Sequence, residues 1–185
     1  GENEIKVFLE PTRRLLDSDK NDRQAYVSLG CAITNIATAA NYYGQSCLVE
    51  YFPDKQNENL VARIVLARSS ETSKLPKEHL IFSIPKRLTN RNKYENKLPV
   101  ESFLEEIKRY SVNDLQVYVI TDQAQKEHLA DVAIAASINA MEDKNFRFEL
   151  SLYIKPNTTS SPIGMPAFGM GIPTPVSFIA QTMIK

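Results

Sequence analysis

The longest stretch without a charged side chain runs from Tyr26 to Gly44, YVSLGCAITNIATAANYYG. Within it Leu29, Ile33, Ile36, Ala40 and Tyr43 recur at steps of three and four, the period of one helix face. Gly30, Ala32, Ala37 and Ala39 keep the rest of the circumference small, so the pattern predicts a long buried helix covered on more than one side. The polar run Asp17 to Arg23 marks its start: Ser18, Asp19, Asn21 and Asp22 offer oxygens to free helix amides, and the carboxylates suit the positive end of the dipole. Gly44, free to turn left-handed, marks its stop.

Shorter segments surround this helix. Ile5, Val7 and Leu9 alternate with polar neighbours as in a half-exposed strand, CLVEYF alternates again, Pro53 and Asp54 make a turn, and Leu60, Ala62, Ile64 and Leu66 line one side of a further strand. The first segment, 1–73, therefore reads strand, long helix, strand, strand, closed by the polar link SSETSK. In the second segment, 74–185, the apolar EHLIFSIP leads into KRLTNRNKY. An amphipathic helix follows, with Pro99 and Glu101 early and Val100, Phe103, Leu104 and Ile107 on one face. LQVYVI reads as a strand. Asp122 caps a helix whose buried side holds Leu129, Val132, Ala133, Ala136 and Ala140, and NFRFELSLYI is a short helix ending before Pro156. From Asn157 to Phe178, prolines and glycines break every regular pattern. Such a stretch suits a linker or tail, but Met165, Phe168, Met170, Ile172 and Phe178 are too apolar for solvated linker, so a packed functional loop is expected. The fold class is α+β, with a mixed, mostly antiparallel sheet flanked by helices and the long helix at its centre.

Charge and composition narrow the function. With 22 Lys and Arg against 22 Asp and Glu the net charge is zero, which argues against a nucleic-acid groove. The long helix would nearly match a bilayer at about 1.5 Å per residue, but Thr34, Asn35, Thr38 and Asn41 are too polar for lipid and no Lys or Arg cluster flanks it, so no membrane span is expected. Cys31 and Cys47 read as small buried residues of a reducing compartment rather than a disulfide. His79 and His128 have no partner at ligand spacing, so no metal site is expected. Gly1 as first residue points to a trimmed chain or a fragment.

The one dense anion-binding candidate is Arg87, Thr89 and Arg91. In extended backbone residues i, i+2 and i+4 share a side, so two guanidiniums and a hydroxyl can converge on one phosphate. The spacing is shared by solvated basic turns. No paired acid and base stands out anywhere in the chain.

KRLTNRNKYENKLPVESFLEEI resembles the opening motif of the nitroreductase family, in which an Arg-Arg-Ser-x-Arg run holds the phosphate of FMN. It is more similar to a subfamily with two halves fused in one chain and the motif Arg-Arg-Thr-Asn-Arg followed by an aromatic. Here those positions are Arg87, Leu88, Thr89, Asn90, Arg91 and Tyr94, with Leu88 standing where the family has its second Arg. DSDKNDRQAYVSLGCAITNIATAANYYG resembles the subfamily's acidic turn and Gly-containing helix, the helix that packs at its pseudo-twofold interface. NFRFELSLYI with GMPAFGMGIP resembles its later helix and loop. The chain has no Trp, whereas the family carries an Asn-x-Gln-Pro-Trp segment upstream of the first strand. The resemblance thus implies the middle of a longer two-half protein, with the end of a first half in 1–73 and the start of a second in 74–185, completed by the rest of the chain or by a second subunit. It implies FMN as cofactor, with Arg87, Thr89 and Arg91 on the phosphate and Met165, Phe168 and Met170 as an apolar cover. It further implies a cytoplasmic homo-oligomer or pseudo-dimer passing hydride from NAD(P)H to a nitroaromatic or quinone. A degenerate relative that binds or sequesters flavin without turnover, and a plain α+β domain with no small-molecule site, are the competing readings.

Overall fold

The computed structural model describes residues 3–68, 80–89, 93–95, 97–112 and 114–185. The protein is α+β and divides into two compact units, Gly1–Asn90 and Arg91–Lys185. The polar link at 69–74 lies outside the described residues. The apolar run that follows it clusters with the first unit.

The first unit contains strand β1 (Glu4–Phe8), helix α1 (Arg23–Tyr42), strands β2 (Gln45–Tyr51) and β3 (Leu60–Arg68), and a short helix α2 (Leu80–Ser83). This strand, helix, strand, strand order is the one the hydrophobic alternation predicts. The sheet order is β1-β3-β2 and both pairings are antiparallel. β1 and β2 are therefore parallel to each other with β3 inserted between them, and α1 is the crossover that joins them in a split βαβ arrangement. The register places Ile5 and Val49 on either side of Ile64, and Val7 and Tyr51 on either side of Ala62. Because side chains alternate across a strand, this register puts Ile5, Val7, Cys47, Val49, Ala62, Ile64 and Leu66 on one face, packed against Ile33 and Ile36 of α1. The opposite face carries Glu4, Lys6, Glu50 and Arg63, with the Arg63 Nε and Nη2 both donating to Glu50 Oε2, at 3.0 and 2.8 Å. Leu48 also lies on that face and is 72% exposed.

α1 starts three residues before the predicted Tyr26, and of the four residues expected to offer oxygens to its amides Asp19 does so, while Asp22 does not. Asp22 occupies the cap position in left-handed backbone (φ 53°) but makes no capping bond with its side chain. Its carboxylate is held by Arg14, with Arg14 Nε donating to Oδ1 at 2.8 Å. The amides are capped from further upstream: Gln24 N and Ala25 N donate to the two Asp19 oxygens at 3.0 and 2.9 Å. Gly44 ends the helix as predicted, at φ 71°. The expectation of a helix buried on more than one side is corrected, since Ile33 alone is buried while Val27 and Cys31 are exposed. Small residues permit close approach, but they do not supply a neighbour. Cys31 is thus not a buried thiol. Cys47 is half-buried against the core, and that burial pushes its thiol pKa up.

The second unit contains α3 (Glu101–Lys108), α4 (Gln123–Glu142), α5 (Lys144–Tyr153), the short parallel pair β4 (Ile154–Lys155) and β5 (Met165–Pro166), α6 (Thr174–Ser177) and α7 (Ala180–Ile184). Its core is Ile154, Ala167 and Ala180, with Leu150, Ile172 and Ile184 packed around them. Asp122 caps α4 as expected, accepting from Gln125 N at 2.9 Å, and Asp143 caps α5 through Asn145 N at 2.8 Å.

Three expectations are corrected here. LQVYVI is not a strand: Leu115 makes one isolated bridge to Val112 and Val117 N donates to Ser111 Oγ at 3.0 Å, but no ladder forms among the described residues. Alternation and β-branching make a segment fit to be a strand, whereas a ladder requires a partner. The buried side assigned to α4 is exposed, Leu129 and Val132 included, and α4 buries no residue. Ile134, Ile138 and Met141 lie on other sides of this helix, so its apolar residues do not define a single face. On α3, only Leu104 of the predicted stripe is buried. Among the described residues no helix is long and apolar enough to cross a membrane.

Two outcomes test this packing. Ile64 is fully buried, so Ile64→Ala lowers unfolding stability by about 2–5 kcal/mol in urea titration, whereas Leu48→Ala on the opposite face changes it by less than about 0.5 kcal/mol. Equal effects would place the wrong face inward. At Asp19, burial raises the carboxyl pKa, but the amides of Gln24, Ala25 and Arg23 together with the Arg23 charge outweigh it and hold the value below normal. The folded pKa lies below the unfolded one, so the carboxylate's stabilisation is complete above the unfolded value of about 4 and is lost as pH falls through the folded value. Thermal melts of Asp19→Asn should therefore run below wild type at neutral pH and converge with it under strong acid; a constant gap at all pH values would refute the assignment.

Candidate functional site

The basic segment begins where α2 ends. A single turn of tight helix, Ile84–Lys86, carries Pro85 in its first turn, and Arg87 N donates back to Ile84 O at 3.4 Å. Pro85 has no amide to offer the turn, and the chain leaves extended at Arg87 (φ −62°, ψ 124°). Extended backbone puts Arg87 and Thr89 on one side, and Arg87 Nη1 donates to Thr89 Oγ1 in a long contact of 3.4 Å. Leu88, between them, is 85% exposed. The Thr89 oxygen accepts from the guanidinium, which leaves its own proton to donate outward. Among the described residues no carboxylate pairs with Arg87. The result is an exposed fork of N–H donors and one O–H donor with no counter-charge among the described residues, which is the donor set a phosphate or carboxylate requires. Arg91, the third predicted phosphate ligand, lies outside the described residues.

Arg87 and Thr89 belong to the first unit; Met165, Phe168 and Met170 belong to the second. The stretch carrying those three is more regular than its prolines and glycines suggest, but of the five apolar residues expected to pack only Ile172 joins the core, and Phe168, Met170 and Phe178 are exposed. Ile154 and Lys155 pair with Met165 and Pro166, and the turn of tight helix Ala167–Met170 follows. Met165 is half-buried, while Phe168 and Met170 are exposed.

One side chain that the sequence pattern does not single out organises this loop. Asn157 Oδ1 accepts from Phe168 N at 2.6 Å, while its Nδ2 donates to Ile172 O at 3.1 Å and to Thr174 Oγ1 at 3.2 Å. Its backbone amide donates to Ser177 Oγ at 3.1 Å, and the buried Ser177 donates in turn to Thr174 O at 2.7 Å. A single amide thus ties the start of the loop to its middle and to its end. The one available signal is an Asn directly after Pro156 at the mouth of a long irregular stretch, a position that suits side-chain bonds to nearby backbone. Gly164 is the other fixed point: its φ is 100°, and a Cβ there would meet Tyr153 O at 2.5 Å.

Sequence patterning also passes over a group of rings at the end of α1. Tyr42 packs edge to face with Phe82 of α2, centroids 5.6 Å apart, and with Tyr43 at 5.1 Å. No protein-family model matches this chain, and no curated protein matches it.

Asn157→Ala removes the acceptor of the Phe168 amide and the Nδ2 donor to the Ile172 carbonyl, so the second unit should lose about 0.5–1.5 kcal/mol per hydrogen bond. Hydrogen exchange read at the Phe168 amide reports the change directly. Faster exchange there, with the first unit unchanged, is the expected pattern, and unaltered protection would remove Asn157 from its organising place.

Proposed function

We propose that this chain is an FMN-dependent oxidoreductase of nitroreductase type, passing hydride from NAD(P)H through flavin to nitroaromatic or quinone acceptors. The observation that carries the reading is the Arg87–Thr89 contact, an exposed guanidinium beside a hydroxyl on extended backbone with no carboxylate paired to it among the described residues, within the motif that resembles the family's phosphate run. The donor set fits a phosphate monoester: Arg87 supplies charge and paired N–H donors, Thr89 a single O–H donor, and Arg91 a second guanidinium. Met165, Phe168 and Met170 offer apolar surface to cover a ring system. When bound, FMN supplies the two-electron redox chemistry; the side chains anchor, orient and shield it from water. This reading needs no acid–base pair in the protein, in keeping with the absence of such a pair from the sequence. It extends to a nitroreductase-like fold completed by the rest of a longer chain or by a second subunit, a homo-oligomeric or pseudo-dimeric assembly, and a cytoplasmic location.

A second reading, a degenerate member that binds or sequesters flavin without turnover, is favoured by Leu88. Its exposed aliphatic side chain stands where the family has a phosphate-binding Arg.

Reconstitution with FMN tests both readings. The protein should retain the visible flavin absorption after gel filtration, and Arg91→Ala should weaken FMN binding roughly 10- to 150-fold, the loss of one hydrogen bond to a charged group. Failure to retain flavin, or equal affinity in the variant, would defeat the flavin reading. Steady NAD(P)H oxidation with a quinone or nitroaromatic acceptor would exclude the degenerate one.

A further inference from the structure

We propose that Tyr42, Tyr43 and Phe82 form a stacking platform for the planar heterocycle of the phosphorylated ligand whose phosphate Arg87 and Thr89 hold. This rests on the anion-site reading above and extends it to the ring end of the ligand.

The three rings meet edge to face, with interplanar angles of 85° for Tyr42–Tyr43 and 80° for Tyr42–Phe82. These contacts commit one edge or face of Tyr43 and of Phe82 and two parts of Tyr42, and they leave other surface open, most of all on Tyr43. That surface is in water: Tyr42 is 39% exposed, Phe82 54% and Tyr43 72%. Docking α2 onto α1 accounts for the Tyr42–Phe82 contact but gives no account of Tyr43, whose ring meets Tyr42 and is otherwise largely open.

The platform and the anion fork are joined by short, compact backbone. Phe82 lies in α2, the tight turn Ile84–Lys86 follows directly, and Arg87 closes that turn. Five residues at about 1.5–2 Å rise put the Phe82 and Arg87 backbones within about 10 Å of each other. A phosphorylated heterocycle bridges such a gap through its sugar or polyol chain. The run from Leu80 to Thr89 contains Lys86 and Arg87 and no carboxylate, so an anion is attracted toward the rings. Stacking on aromatic side chains tolerates any planar heterocycle, which makes the class of ligand a phosphorylated flavin or nucleotide.

The experiment is a titration of the purified protein with FMN, riboflavin, AMP and inorganic phosphate, read by quenching of tyrosine fluorescence and by equilibrium dialysis. Tyr43→Ala removes the ring that does not dock α2, and Phe82→Leu keeps apolar bulk while removing the π face; far-UV circular dichroism checks that both fold. Each variant should weaken FMN roughly 5- to 150-fold, the range measured for one stacked base, and leave inorganic phosphate unaffected. Arg87→Ala should do the reverse for riboflavin, leaving its binding unchanged while weakening FMN. FMN binding equally well to wild type and both ring variants would overturn the platform while leaving the flavin reading intact. Binding of AMP but not FMN, weakened by the same ring variants, would uphold the platform and remove the flavin. No saturable binding of FMN, riboflavin or AMP would overturn the platform together with the reading it rests on.

Discussion

β3 is hydrogen-bonded along both edges, and the rest of the first unit depends on that placement. A central strand has no edge on which to expose backbone, so its register against β1 and β2 decides which side chains of all three strands point inward. With Ile64 opposite both Ile5 and Val49, seven apolar side chains fall on one face and only α1 is left to cover them. A slip of one residue would turn Ile64 and Ala62 into water and bring Arg63 inward, so the register is strongly specified. α1 is in turn positioned by its role as the crossover between two parallel strands that do not touch, and its far end delivers Tyr42 and Tyr43 to the place where α2 packs.

The second unit uses a different device. Its core is small, three buried apolar residues between the end of α5, the Gly/Pro-rich loop and α7. Hydrophobic burial of that size orders a long irregular segment only weakly against its conformational entropy. Asn157 makes up the difference by satisfying backbone groups that no ladder or helix would satisfy, and Ser177 repeats the device at the end of the loop. Surface carried by such a loop is held by polar bonds behind it, which leaves Phe168 and Met170 free to face outward.

The two groups of candidate residues therefore have separate supports, one in each unit. Arg87 and Thr89 are aligned by a proline-started turn that ends in extended backbone, and they present charge that nothing among the described residues neutralises. Met165, Phe168 and Met170 are presented by the Asn157-held loop of the other unit. The ring group at the end of α1 gives the first unit an aromatic surface of its own.

Period-two alternation was enough to read β1, β2 and β3 and, for β1 and β3, inward residues such as Ile5, Val7, Ala62, Ile64 and Leu66, because those side chains share the face that α1 covers; it passed over Val61, which is also buried. Acidic residues before a helical run marked the start of α1, and Asp122 and Asp143 cap α4 and α5 locally; Gly44 marked a stop for the equally local reason that it alone turns left-handed without cost. Two arginines and a threonine at i, i+2 and i+4 suggested an anion site before any geometry was known, and Arg87 and Thr89 are in contact, while Arg91 lies outside the described residues. What the chain could not reveal were the matters that need a neighbour. LQVYVI has the composition of a strand but no ladder among the described residues, α4 has apolar residues on more than one side and so no single side to bury, and Gly30 of α1 has no described neighbour within 4 Å of where a Cβ would stand. Which aspartate caps α1 was likewise decided in three dimensions, because Arg14 draws Asp22 away and leaves the amides to Asp19. Local conformational preference is written residue by residue, whereas burial and pairing belong to two segments at once and exist only when the fold brings them together.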